Sequence, residues 1–180
     1  MPPPEIIETP RLVLRKPVFP DDAQRIFESY AHDPAVTRFL TWRPHYDVHE
    51  SLRILHTRVE WWDEGHELSW VITTRTDRAV IGMISASDND DPTGYSLGFV
   101  LARAHWGHGY ATEAARAVVE TLLARPATTH VWAIADRENH ASIKVLQNAG
   151  LQRGALLPGA SIHPALSPVA RDCWRFAKVR

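Results

Sequence analysis

The spacing of apolar and polar positions changes period several times along the chain, and each change predicts an element. Arg11-Leu12-Val13-Leu14-Arg15 alternates in the manner of a half-buried strand just after Pro10. Pro20-Asp21-Asp22 opens a helical pattern carrying Ile26, Phe27 and Tyr30, with acidic side chains at the positive end of the helix dipole. A second helix starts at Asp47, which with Glu50 has capping-box spacing, and runs through Leu52, Leu55, Val59 and Trp62 to Gly65. Three apolar runs follow at 68–74, 80–87 and 95–101, parted by turn signals at Thr76-Asp77 and at Asp90-Asp91-Pro92-Thr93-Gly94, and they predict an antiparallel meander. Next comes a helix with Ala111, Ala114, Ala115, Val118, Val119, Leu122 and Leu123 on one face, ended by Pro126. A short strand at 130–135 leads to a helix capped by Asn139, with Ile143, Leu146 and Ala149 facing inward and Gly150 closing it. The tail reads as a strand at 151–157, a loop holding Pro158, Pro164 and Pro168, and a last strand at 172–179. The layout is mixed α/β, with two helices before the meander and two strand-helix units after it.

No repeat or linker interrupts these elements, so residues 1–180 are expected to form one domain. A chain of this length can hide roughly 70% of the surface it exposes when unfolded, enough to hold a core without staples. Cys173 is the single cysteine, which excludes an internal disulfide or thiolate metal site and fits a reducing cytoplasm. The amino terminus lacks a basic segment followed by an apolar run, and no apolar stretch nears the roughly 20 residues of a membrane span. A cytoplasmic protein with no membrane partner is expected. The net charge is -1 and basic residues form no block, so a nucleic-acid backbone is not an expected partner. The pairs His105/His108 and His45/His49 have spacings that suit a metal, but no third ligand has recognisable spacing, and no metal is expected.

Chemistry concentrates where the strand at 95–101 feeds through Trp106-Gly107-His108-Gly109-Tyr110-Ala111-Thr112-Glu113-Ala114 into a strong helix. Two glycines let successive N–H groups turn toward one point, and the unpaired donors and dipole of the helix reinforce that field, which suits an anion. A plain tight turn is the structural alternative. A P-loop needs Gly-Lys followed by Ser or Thr, and this chain has none. A dinucleotide fingerprint needs a third glycine where Thr112 stands and an acid about 20 residues on, for which Asp136 comes late.

The 106–114 segment resembles the pyrophosphate-binding motif of the GNAT superfamily of acyl-CoA N-acyltransferases, in the form found in its RimJ/RimL-like branch of ribosomal-protein acetyltransferases. About 30 residues downstream, Asn139-His140-Ala141-Ser142-Ile143-Lys144-Val145-Leu146-Gln147-Asn148-Ala149-Gly150-Leu151 is similar to the N-x-x-S-x-x-x-L-x-x-x-G helix that lies along the pantetheine arm in that family. The opening residues 8–15 and the closing 172–180 look like the family's first and last strands. The resemblance implies a mostly antiparallel mixed sheet of about seven strands flanked by about four helices, and acetyl-CoA as co-substrate without a metal. It places the coenzyme on Trp106, Gly107, His108, Gly109, Tyr110, Ala111 and Thr112, on backbone groups of Phe99, Val100 and Leu101, and on Asn139, Ser142 and Lys144. The chain departs from the branch at several points. Trp106 replaces a common Gln or Arg, His108 a common Lys, and Ser96 a common Glu, while the Tyr that protonates the leaving thiolate in many relatives is missing, since none follows Tyr110.

Direct attack on the thioester needs a neutral amine. At pH 7 an α-amino group costs roughly 1 kcal/mol to deprotonate and a lysine roughly 4.6 kcal/mol, which favours a protein N-terminus or another weakly basic small amine as acceptor. With the Tyr missing, Ser142 is the candidate proton donor to the thiolate, against the plainer role of an early-helix serine bonded to backbone. Asp88 is a candidate base or cation-steering group, against the plainer reading of a solvated turn residue. Asn139 either meets the coenzyme or caps its helix, roles that compete for the same side chain. Asp90 and Asp91 read as turn residues. Trp42, Trp61, Trp62 and Trp70 are candidates to line an acceptor groove, with core packing the better account of Trp62 and Trp70. An acyl-CoA-binding protein that has lost catalysis, and a nicotinamide-dependent oxidoreductase using the Gly107/Gly109 loop, are the competing functions; a homodimer is compatible with the sequence.

Overall fold

In the computed structural model, which describes residues 3–89 and 91–180, eight strands form one sheet in the order β1-β2-β3-β4-β5-β6-β8-β7. The strands are β1 (Ile6–Glu8), β2 (Leu12–Arg15), β3 (Glu67–Thr74), β4 (Val80–Ser87), β5 (Gly94–Leu101), β6 (His130–Asp136), β7 (Gln152–Ser161) and β8 (Arg171–Val179). The helices are α1 (Asp22–Ile26), α2 (Pro34–Thr37), α3 (Val48–Glu64), α4 (Tyr110–Leu123) and α5 (His140–Asn148). Asp90 lies outside the described residues.

Strands β3 and β4 are buried at nearly every position because both their faces are covered. Trp70 and Ile72 join Leu12, Leu14, Ile81 and Ile84 under Ala115, Val118 and Leu122 of α4. Val71, one residue out of phase, faces the other way into a cluster with Val80, Met83, Ala23, Ile26, Tyr30 and Leu55. Trp62 packs edge-on against Trp70 at 5.1 Å, so this pair belongs to the core as its pattern predicts. Helix α3 begins where Asp47 accepts from the N–H groups of His49 and Glu50, and it ends at Gly65 with φ +84°.

Three elements differ from the sequence expectation. Strand β1 is an addition, three residues long with only Ile7 buried, too short to show alternation. The helical stretch after Asp21 is not uniform: α1 passes into a π-helical turn over Phe27–Ala31, and the short α2 follows, capped by the Asp33 side chain at Ala35 N–H. Strand β7 runs on through Pro158, which sequence reading assigns to a loop. The ladder to β8 is irregular between Leu157 and Ser161, so the missing N–H of Pro158 falls at a bulge in an edge strand, where it removes no regular ladder bond.

The single parallel contact in the sheet positions the site. Strands β5 and β6 pair only from Gly94–His130 to Ser96–Trp132, although β5 continues to Leu101 and β6 to Asp136. Beyond that point they part. No helix among the described residues is long and apolar enough to cross a membrane.

Candidate active site

The gap between β5 and β6 opens into a cavity of about 520 Å³. It is lined by residues 96–100 of β5 and 132–136 of β6, by Asn139, the N-cap of α5, with Ser142 and Leu146 of that helix, and by Tyr30, Trp42, Ile54 and Leu55. Cys173, buried in β8, also borders it, and burial followed by the nearby Asp136 and Asp172 carboxylates pushes its thiol up to about 11.

Alternation along the ladder decides which peptide groups of β5 are open. Ala102 N–H donates to Ile81 C=O at 2.8 Å, and the register pairs Met83 with Val100 and Ser85 with Gly98. The peptide groups of Val100 and Gly98 therefore point to β4, and those of Phe99 and Leu101 point toward β6. Leu101 C=O accepts from the Trp106 indole N–H at 2.8 Å. Of Phe99, Val100 and Leu101, it is Phe99 whose N–H and C=O face the gap without a strand partner; Val100 is spent on β4 and the Leu101 carbonyl on Trp106.

At the end of β5 a single 3₁₀ turn, Arg103–His105, hands the chain to Trp106 and then to two left-handed glycines, Gly107 at φ +78° and Gly109 at φ +77°. Gly109 is the N-cap of α4 and offers no side-chain cap. Among the described residues no hydrogen bond uses the N–H of Gly107, Gly109, Tyr110, Ala111 or Thr112 as donor. These are the donors that sequence reading assigned to an anion, gathered at the positive end of a 14-residue helix.

The loop is held by contacts the sequence pattern did not reveal. Arg11, at the entry to β2, donates Nη1–H to His108 C=O at 2.9 Å and lies 4.6 Å over the Tyr110 ring. Glu113, in the first turn of α4, accepts from Thr9 Oγ1 at 2.6 Å, from Arg11 N–H at 2.9 Å and from Arg11 Nε at 2.6 Å. Burial opposes ionisation of Glu113, but the Thr9 and Arg11 donors outweigh it and hold the carboxyl below its usual value. A guanidinium thus stands beside the loop even though His108 replaces the lysine common in the branch. His105 and His108 each sit 6.0 Å from the Tyr110 ring. Nδ1 of His45 lies 2.7 Å from Ser51 Oγ, and His49 is exposed beside Asp47.

On α5, Asn139 Oδ1 accepts from Ser142 N–H at 3.2 Å. The cap uses the carbonyl oxygen and leaves the amide nitrogen uncommitted among the described residues, so capping and ligand contact draw on different atoms of Asn139. Ser142 borders the cavity, whereas Lys144 is exposed and forms no part of the wall. Asp88 accepts from Asp91 N–H through its backbone carbonyl at 2.8 Å, and its neighbours Ser87 and Asn89, not Asp88 itself, border the cavity. Trp42 borders it too; Trp61 is exposed on the surface and does not.

A polar cluster closes the far end of β6. Asp136, 1% exposed, takes Arg171 Nε at 2.5 Å and Glu138 N–H at 2.8 Å, and His163 Nε2 lies 3.5 Å from its Oδ2. Burial would raise the Asp136 carboxyl, but the Arg171 bond and the Glu138 N–H hold it below the usual range. This role removes Asp136 as a ribose-binding acid, and a sheet with one parallel pair is not a doubly wound dinucleotide fold.

A splayed parallel pair with a cavity at the gap, and an uncapped glycine loop at the start of the helix that follows β5, define a coenzyme-dependent group-transfer fold. Residues 11–152 match the family model described as the acetyltransferase (GNAT) domain, and the chain belongs to that family. It is an acyltransferase transferring groups other than aminoacyl groups. The chain is 29% identical over 154 residues to the uncharacterized N-acetyltransferase p20 of Bacillus licheniformis, covering 85% of each. Its fold is similar to that of the Mycobacterium smegmatis RimJ solved with a CoA-disulfide (TM-score 0.85, 19% identity, 99% of this chain and 90% of that one). It is equally similar to the Salmonella typhimurium acetyltransferase that modifies the N-terminal serine of ribosomal protein L7/L12 (TM-score 0.85, 15% identity, 98% and 99%).

Proposed function

We propose that the protein transfers an acetyl group from acetyl-CoA to a primary amine by direct attack on the thioester, with a protein α-amino group or a small, weakly basic amine as acceptor. The observation that carries this reading is the parting of β5 and β6 beside the uncapped start of α4. The N–H groups of Gly107 to Thr112 bind the diphosphate, with Arg11 adding charge, and the pantetheine amides enter the gap, where Phe99 offers the donor and acceptor a strand would otherwise use. The amide nitrogen of Asn139 faces the same arm. Donors fixed in place before the reaction stabilise the oxyanion as the amine adds. Ser142 Oγ, with no other bond among the described residues, hands a proton to the departing thiolate.

The acceptor enters from the end lined by Tyr30, Trp42 and Ile54. The Salmonella relative in fold, which modifies an N-terminal serine, supports an α-amine, as does the smaller deprotonation cost. The test is a free-thiol assay with acetyl-CoA against peptides of different first residue, polyamines and aminoglycosides, run with wild type and Ser142→Ala. Thiol release with at least one amine, lowered in the variant, is expected. Wild-type turnover by Ser142→Ala at every pH removes Ser142 as donor, and silence of the wild type with all amines leaves only coenzyme binding.

A further inference from the structure

Among the described residues, the acids and permanent cations that border the cavity are Arg58, Glu67 and Asp136. Asp136 is buried and closed by Arg171 and the Glu138 N–H, whereas Arg58 and Glu67 keep bonding capacity in hand. Arg58, on α3, donates from Nη1 to Glu67 Oε1 and, at 3.1 Å, to Ser69 Oγ. Ser69 donates to the same Oε1 at 2.7 Å, and Ser87 donates to Oε2 at 2.9 Å. One carboxylate oxygen is therefore the anchor, and Oε2 has a single donor where it can accept two. On the guanidinium only Nη1 is engaged; Nε and Nη2 have no partner among the described residues, and neither has the Ser85 hydroxyl. These atoms are not buried, because the only buried side-chain nitrogens and oxygens without a partner among the described residues belong to His163. The Arg58 and Glu67 side chains are 23% and 13% exposed, half-sheltered but within reach of a ligand.

The ladder fixes where the pair stands. Glu67 is opposite Ser87 and Ser87 opposite Ser96, while Ser69 is opposite Ser85 and Ser85 opposite Gly98, so these side chains share one face of the sheet. Ser96 is the last residue of β5 paired with β6. Glu67 thus stands two strands, about 10 Å, from the point where the gap opens. Gly98 leaves the way between them clear, since a Cβ there would meet only Ser85 Oγ, at 3.5 Å.

We infer that Arg58 and Glu67 set the acceptor specificity: together they take an uncharged group of the acceptor that both donates and accepts hydrogen bonds, and they disfavour acceptors with a further charge at that place. This rests on the acetyl-transfer reading and narrows its acceptor. Arg58 offers free N–H groups and Glu67 a free lone pair, which a hydroxyl, a carboxamide or a peptide unit satisfies at once. The pair is neutral as a whole, so a third charge brought here is desolvated without a net countercharge. A polyamine offers only donors and leaves the Arg58 N–H groups unmet beside a like charge.

The test uses two peptide series that carry Ser, Asp or Arg at the second or at the third residue and are otherwise identical; the arginine guanidinium takes no acetyl group. In one series wild type is expected to prefer Ser by roughly 10-fold or more in kcat/KM, through KM. Arg58→Gln, which leaves the carboxylate unopposed, should shift the preference toward the Arg peptide, and Glu67→Gln toward the Asp peptide, each by roughly 10-fold. A merely structural role would lower all three peptides alike. Arg58→Gln/Glu67→Gln strands neither charge, so it guards against a folding defect of the single variants; it should keep acetyl-CoA affinity and lose the discrimination against both charged peptides. Absence of a preference for Ser in wild type, or the wild-type order retained in the double variant, overturns the assignment while leaving the transferase reading standing. A wild type that releases no thiol with any amine overturns that reading instead, and the pair is then judged by calorimetric affinities of the same peptides for the complex with coenzyme A, where the two single variants must again shift the order in opposite directions.

Discussion

Glu113 shows how much of the glycine loop before α4 depends on one side chain. It is a first-turn acid on α4, yet it faces Thr9 and Arg11 rather than water, tying the entry of β2 to the loop. Its carboxyl titrates below the unfolded value, so its contribution to stability is present above the unfolded pKa, near 4.3, and is lost as pH falls through the lower folded pKa. Wild type is therefore expected to lose stability more steeply than Glu113→Gln as pH falls below about 5, in thermal melts taken down the acid range. Parallel curves would show that the Thr9 and Arg11 bonds contribute nothing in solution. Much at this scale was legible: the glycines of the loop, the cap at Asn139 and the core tryptophans all announce themselves by residue type and spacing. His163 did not. In sequence it is one residue in a proline-bearing loop, and only the fold brings it to a buried carboxylate 27 positions earlier.

Elements were readable where a helical period persists over several turns, as in α3 and α4, and where an apolar run is bounded by turn residues, as in β3 and β4. They were unreadable where pairing with a neighbour, not local pattern, makes the element. Strand β1 exists because β2 pairs with it, and the far half of β7 exists because β8 tolerates a bulge opposite Pro158. The π-helical turn after α1 is likewise a product of packing, and it sets Tyr30 at the cavity. The start of α4 is the element most sensitive to a small change. Gly109→Ala places a side chain at φ +77°, where an L-residue costs about 1 kcal/mol, and its new methyl would reach ordinary contact distance of Arg11. A drop of that size in urea melts, with a larger proportional loss of acetyl-CoA affinity, is the expected result. An alanine variant that binds the coenzyme as wild type does would show that the loop's backbone shape is not what holds it.

At the scale of the whole molecule the sheet consists of two parts, β1 to β5 and β6-β8-β7, joined by three register pairs. Each part has its own cover: α1 and α3 over the first and α5 against the second, with α4 reaching β2, β5 and β6. A ligand lying between β5 and β6 would engage both. Acetyl-CoA at 100 times its Kd is expected to stabilise the protein by about 2.7 kcal/mol, several degrees in Tm for a chain of this size. Free adenosine diphosphate, which has no pantetheine arm to lie in the gap, should give less at equal concentration. Equal shifts would place all the binding at the loop and none in the gap.

The vacancy beside Phe99 also makes the protein its own reporter. An inward-facing strand amide normally exchanges its hydrogen with solvent deuterium slowly, but this one has no protein acceptor and should exchange fast while its neighbours Gly98 and Val100 stay protected by β4. Slowing of that one amide would time the arrival of whatever molecule completes the sheet.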